Sequence, residues 1–186
     1  MPLTSLFQYG LAACVSAVLI WAAYSDVRSR RIPNPAVLAL LLLFIPWALT
    51  DSHANLVSAL EAAAIGFVVT FLLYSFKIMG AGDSKLFAAV ALFGGMAYLP
   101  YLALATSLVG GVIALFSLAT RPQRALVMLT LRGRGDFGRG VPYGVAIAAG
   151  AILVIWATLL GNLQPYAYGG PEPVTASAVS RALNNH

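Results

Sequence analysis

Apolar residues run along this chain in long unbroken blocks rather than in alternation. Six blocks stand out, at residues 3–24, 36–50, 56–76, 80–99, 101–119 and 142–160. Most approach the ~20 residues a helix needs to cross a hydrocarbon core of ~30 Å. The second is short and requires snorkelling flanks or a locally thinned bilayer. Continuous apolar runs favour helices over a barrel, whose strands alternate. The expected fold is all-α, a polytopic membrane protein of about six transmembrane helices. Blocks two and three, and four and five, are joined closely enough to form hairpins. The stretch 120–141 is rich in Arg and Gly without apolar periodicity and reads as a longer, mobile loop. A membrane domain over 1–161 is expected, with no internal repeat, followed by a flexible tail over 162–186.

Composition agrees with this reading. Of 186 residues, 60% are hydrophobic and 9% charged, and the mean hydropathy is +0.86. Those values exclude an ordinary soluble domain. The net charge of +5 is scattered between apolar blocks, so the implied partner is a lipid bilayer and not nucleic acid. With six crossings, Arg28, Arg30, Arg31, Lys77, Lys85, Arg121, Arg124, Arg132, Arg134 and Arg139 fall on one side, and Arg181 alone on the other. That partition orients the basic side to the cytoplasm and both termini outside, N-out and C-out. The first block has no basic n-region and continues to about Tyr24, which reads as a retained span rather than a signal peptide. The single cysteine, Cys14, lies within an apolar block, and the histidines, His53 and His186, lie in a short loop and at the C-terminus. Neither a disulfide framework nor a metal site is expected.

Against this apolar background, two acids stand out. Asp26 ends the first block and Asp83 opens the fourth, in the run Gly80-Ala81-Gly82-Asp83. Two crossings separate them, so parity places both at one membrane face. A carboxylate at the edge of lipid is costly, and two on one face point to a shared task. The glycines would permit close approach and unusual dihedrals where substrate reaches the acid. Paired carboxylates suit peptide hydrolysis because neighbouring like charges resist ionising together. One member then draws a proton from water while the other polarises the scissile carbonyl, with no metal or organic cofactor. The other acids fit less well. Asp51 falls on the opposite face, Asp136 lies among Arg132, Arg134 and Arg139, and Glu61 sits near the outer end of the third block. Asn34 and Pro35 read as N-cap and first residue of the second helix. Arg28, Arg30 and Arg31 read first as an orientation anchor. Lys85 should point to a different helix side from Asp83, either snorkelling or tuning the acid. Val141-Pro142-Tyr143-Gly144 is a helix-start signal.

Taken together, these residues resemble the type IV prepilin peptidases. Asp26 followed by Ile32-Pro33-Asn34 matches the family's first aspartate motif, and Gly80-Ala81-Gly82-Asp83-Ser84-Lys85-Leu86 matches its second, the Gly-x-Gly-Asp element. Pro142-Tyr143-Gly144 also resembles the start of the family's last span. The resemblance covers about residues 24–150. It implies an aspartyl endopeptidase of the bacterial inner membrane that removes short basic leaders from prepilin or pseudopilin precursors at the cytoplasmic face. It also implies that Asp26 and Asp83 are the catalytic pair, with Gly80, Gly82, Lys85, Ile32, Pro33 and Asn34 as supporting motif residues. Larger members carry a zinc-binding, cysteine-paired insertion between the first two spans and methylate the new N-terminus. Here that connection is only about residues 25–35 and has no cysteine. The compact form is similar to the minimal peptidases of Flp/Tad-type pilus systems, which implies cleavage without N-methylation.

Two alternatives stay open at this point. A signal-peptide-peptidase-like protease shares the Gly-x-Gly-Asp element and would cut deep within a substrate's span. A small transporter or secretion-assembly subunit would use its acids to move protons, although such proteins often carry repeats and mid-membrane acids.

Overall fold

The computed structural model describes residues 3–50, 56–76, 78–120 and 143–161. The expected loop at 120–141 lies outside these but for Thr120, the expected tail at 162–186 lies wholly outside them, and so do Asp51, His53, Lys77 and Asp136. Among the described residues five helices follow in order: α1 (Leu3–Ser29), α2 (Asn34–Thr50), α3 (Leu56–Ser75), α4 (Ala81–Thr120) and α5 (Tyr143–Leu159).

The expectation of six transmembrane helices is corrected here. Among the described residues three helices, Leu6–Ser29, Leu56–Ser75 and Ala81–Phe116, are long and apolar enough to cross a membrane. The other two, α2 and α5, have 17 residues each. The fourth and fifth blocks belong to one element, α4, whose break falls at Gly95 and not at Pro100. Gly95 has φ 60, a left-handed value that glycine adopts without steric cost. The Met96 N–H, left without a helical acceptor by the break, donates to Ser58 Oγ of α3 at 3.0 Å. Pro100 lies inside the second arm, five residues after the break. The N-out/C-out assignment rested on six crossings and falls with that count.

Neighbouring contacts set the direction of each arm. In the first arm Phe87 and Ala91 pass Gly66 of α3, and Gly95 reaches Ser58. In the second, Thr106 lies at Gly150 of α5 and Gly110 at Ala146, which leads back towards the start of α5. α4 therefore changes direction at Gly95 and packs against α2, α3 and α5, while α1 packs against α2 and α5.

The packed faces follow helical spacing. On α1 the buried residues Leu11, Val15, Leu19 and Ala22 form one stripe, and Asp26 continues it four residues later. On α4 the stripe begins with Asp83 and continues through Leu86, Phe87 and Val90. Outward faces are also apolar, as with Leu38, Leu42 and Ile45 on α2 and Val68, Phe71 and Leu72 on α3. A helix apolar on its outer face requires lipid rather than water around it. Two contacts set the register of α1 against α5. Trp156 Nε1 donates to Ser16 Oγ at 3.1 Å, and the rings of Tyr9 and Trp156 stack at 6.2 Å. Ten residues along α1 from Ser16 is ~15 Å, and twelve back along α5 from Trp156 is ~18 Å. Asp26 is thereby brought to Gly144.

Gly95→Ala forces a Cβ onto a positive-φ, extended-ψ backbone that essentially only glycine adopts, at a cost of about 1–3 kcal/mol, and places it 3.0 Å from Ser58 Oγ. A lower melting temperature in detergent is expected; an unchanged one would show that the break does not depend on this glycine.

Candidate active site

α1 stops shortly after Asp26. Arg30 adopts φ 54, and its N–H donates to the Asp26 carbonyl at 2.9 Å, a left-handed C-terminal cap. Ser25 Oγ then donates to the Arg31 carbonyl at 3.1 Å, which fixes the turn that follows. α2 begins at Asn34 with Pro35 inside it, one residue earlier than the expected cap. This tight turn leaves Ile32 and Pro33 half-buried and Asn34 exposed.

Asp26 is buried, at 7% exposure. Its Oδ2 accepts the Gly144 N–H at 3.0 Å, and the Val145 N–H points to the same carboxylate. Both donors belong to the first turn of α5, where backbone N–H groups lack helical partners and the helix dipole favours negative charge. A Cβ at position 144 would lie 2.9 Å from Asp26 Oδ2 and 3.0 Å from its Cγ. Only glycine permits this approach.

Asp83 is buried to the same degree, at 8% exposure. It stands in the first turn of α4, and its Oδ2 accepts the Gly80 N–H at 3.1 Å. The Asp83 and Ser84 N–H groups donate to the Gly80 carbonyl at 3.1 and 3.3 Å. This is a capping arrangement in which the third helical residue reaches back to the residue before the helix. Ser84, 1% exposed, donates to the Thr70 carbonyl at 3.0 Å and ties this turn to α3.

The two motifs meet directly. A Cβ on Gly82 would lie 3.2 Å from Ile32 Cβ, so Ile32 packs onto the bare backbone of the Gly-x-Gly-Asp turn. The carboxylates of Asp26 and Asp83 are within electrostatic reach of one another, and Arg30 is within reach of Asp26. Co-location thus rests on packing and needs no count of crossings. Gly80 and Gly82 do not have positive φ, so their value is close approach and not unusual dihedrals. Lys85 is exposed while Asp83 beside it is buried, as helical spacing predicts. Glu61 is exposed on α3, one turn from Ser58 and hence at the Gly95 end of the bundle. Gly144 was missed as a functional residue. The helix-start signal at Pro142-Tyr143-Gly144 marked its location but could not show what its N–H would meet. Among the described residues no three His, Cys, Asp or Glu side chains gather into a metal site.

Fold and site define a multi-pass α-helical membrane protein with two buried carboxylates brought together at one end of its helices. The sequence model of the type IV leader peptidase family matches residues 13–115, more than half of the chain, and the chain belongs to that family. The matched region takes in both aspartates and stops before Gly144. Similar proteins include the prepilin leader peptidase/N-methyltransferase of Pseudomonas aeruginosa, 30% identical over 162 residues, covering 81% of this chain and 50% of that protein. The protein of the same name from Stutzerimonas stutzeri is 29% identical over 162 residues, covering 81% and 52%. That from Aeromonas salmonicida is 28% identical over 164 residues, covering 84% and 52%. The chain spans about half the length of the curated relatives it matches. No solved structure matches it significantly.

Gly82→Ala should press a Cβ onto Ile32 and destabilise the fold by about 1–3 kcal/mol. Ile32→Gly in the same chain, which removes the Cβ that would be met, should recover part of that loss, read as non-additive melting temperatures. Strict additivity would show that the motifs do not touch.

Proposed function

We propose that this protein is a membrane aspartyl endopeptidase that removes the short basic leader from prepilin or pseudopilin precursors of the Flp type, with Asp26 and Asp83 as its catalytic pair. The observation that carries this reading is the convergence of two buried carboxylates from α1 and α4, each held by backbone N–H groups. A carboxylate is expensive to bury. Two buried within electrostatic reach of one another inside an apolar bundle demand more than a capping role can explain, since one exposed acid would cap α4 as well.

The chemistry needs only the pair and one water. Close carboxylates resist ionising together and share a proton, whose titration belongs to both. The ionised member takes a proton from water as it attacks the scissile carbonyl, and the protonated member donates to the carbonyl oxygen. Proton return to the departing amine completes the hydrolysis. Hydrogen bonds from Gly144 and Gly80 keep both side chains fixed during these transfers.

Orientation follows from charge. Among the described residues every Lys and Arg, namely Arg28, Arg30, Arg31 and Lys85, lies at the end of α1, in the turn that follows it or near the start of α4, around the two aspartates. Basic residues favour the cytoplasmic face, so cleavage is assigned to that face of the bacterial inner membrane. The turn between α1 and α2 holds no cysteine, and the activity proposed is cleavage without N-methylation.

The test is co-expression with candidate precursors and N-terminal sequencing of the products. Asp26→Asn and Asp83→Asn should each lower leader removal by at least about 100-fold, and the double variant should be no worse than either single one. The wild-type rate should be bell-shaped in pH, as one shared proton requires. Processing at a normal rate by either single variant would end the assignment, as would a scissile bond deep within the substrate's span.

A further inference from the structure

Among the described residues Arg30 is the one non-glycine residue with positive φ, at 54. It closes α1 in the left-handed region, where glycine or asparagine is the usual occupant because a Cβ is crowded there. A backbone outlier kept beside a site points to a use for its side chain. The Arg30 N–H lies 2.9 Å from the Asp26 carbonyl, which sets the two residues one turn apart. Its guanidinium is within electrostatic reach of the Asp26 carboxylate.

The surroundings of the two acids are unequal. Asp26 has that cation and accepts from the first turn of α5. Asp83 accepts the Gly80 N–H, and Lys85 beside it is exposed on another side of α4. Of the other elements around Asp26, α5 begins with Tyr143 and carries no charge, and α2 carries no titratable side chain. On α1, Arg28 donates to Tyr24 Oη at 3.1 Å on an exposed face. Arg31 is exposed in the turn, where Ser25 holds its carbonyl.

We infer that Arg30 is a positioning residue that keeps Asp26 the ionised member of the pair and leaves Asp83 the protonated one. The inference rests on the reading of these aspartates as a peptidase pair, and it assigns the roles that two like carboxylates leave open. A nearby cation and backbone N–H donors both favour the charged form of a carboxylate. Asp26 then takes a proton from water as the water oxygen bonds to the scissile carbon, and Asp83 gives its proton to the carbonyl oxygen. On collapse the C–N bond breaks, Asp26 returns its proton to the amine, and Asp83 regains one from the hydroxyl.

An infrared titration of carboxyl-labelled aspartate, in an Asp83→Asn chain reconstituted in lipid, tests this without cleavage. The Asp26 signal is the one absent from the chain that carries both Asn substitutions. Adding Arg30→Gln should raise the midpoint of Asp26 protonation by at least about half a pH unit, since the lost cation favoured the ionised form. Arg30→Lys should keep the midpoint near its starting value. Arg31→Gln, the same loss of charge in the same turn, should move it by less than half as much. With both aspartates present, the acid limb of the cleavage rate should move to higher pH in Arg30→Gln and not in Arg31→Gln. Arg30→Gly should match Arg30→Gln in both readouts at a melting temperature no lower than wild type, because glycine suits the cap. Equal shifts for Arg30→Gln and Arg31→Gln, or no rescue by lysine, would overturn the inference. Normal cleavage by Asp26→Asn would instead overturn the peptidase pair and leave the infrared shift standing.

Discussion

One hydrogen bond, from the Gly144 N–H to Asp26 Oδ2, joins positions 118 residues apart, and the arrangement of the site depends on it. A carboxylate buried at a helix end in an apolar bundle has few possible partners. Here the partner is the unsatisfied first turn of α5, whose N–H groups would themselves be costly to leave bare. Each group removes the other's penalty. The bond also dictates composition, since a side chain at 144 would occupy the place of the carboxylate. The Ser16–Trp156 contact further along the same pair of helices fixes the sliding register that makes the bond possible.

Asp83 is held by different means. Its carboxylate caps its own helix through Gly80, and its turn is fixed from outside by Ile32 on one side and Thr70 on the other. The Gly-x-Gly-Asp run therefore combines two requirements. Gly80 presents a backbone donor to the acid, and Gly82 leaves room for the turn that follows the other acid. The first aspartate's turn thus forms part of the second aspartate's support. Substitutions in either turn should be felt at both acids, because rigid packing transmits small displacements.

Much of this was legible in the sequence, and the failures have physical causes. Asp26 and Asp83 each continue an apolar stripe at helical spacing, so their burial on the packed face could be read from residues 11–26 and 83–90. The tight Ile32-Pro33-Asn34 turn was equally visible. The count of six spans failed because hydropathy reports residue type and not backbone dihedrals. Pro100 looked like a boundary, yet the chain breaks at Gly95, where a left-handed residue and the Ser58 hydroxyl make the break tolerable. Gly80 and Gly82 were recognised as necessary for a partly mistaken reason: they allow packing rather than strained dihedrals. Gly144 could not be identified, since its contribution is a backbone N–H that every residue except proline carries. Its partner, Asp26, is set by tertiary register alone.

The central claim is that α1 and α4 bring their acids to one end of the bundle. The distance between spin labels at Arg28→Cys and Lys85→Cys, in a Cys14→Ser chain reconstituted in lipid, tests it directly. Both positions are exposed and flank the aspartates by two residues, so the side chains under study stay intact. The expected separation is well below the ~30 Å of a hydrocarbon core, with a much longer one for Arg28→Cys paired with Glu61→Cys. A separation of ~30 Å or more for the first pair would place the carboxylates at opposite membrane faces and contradict the account.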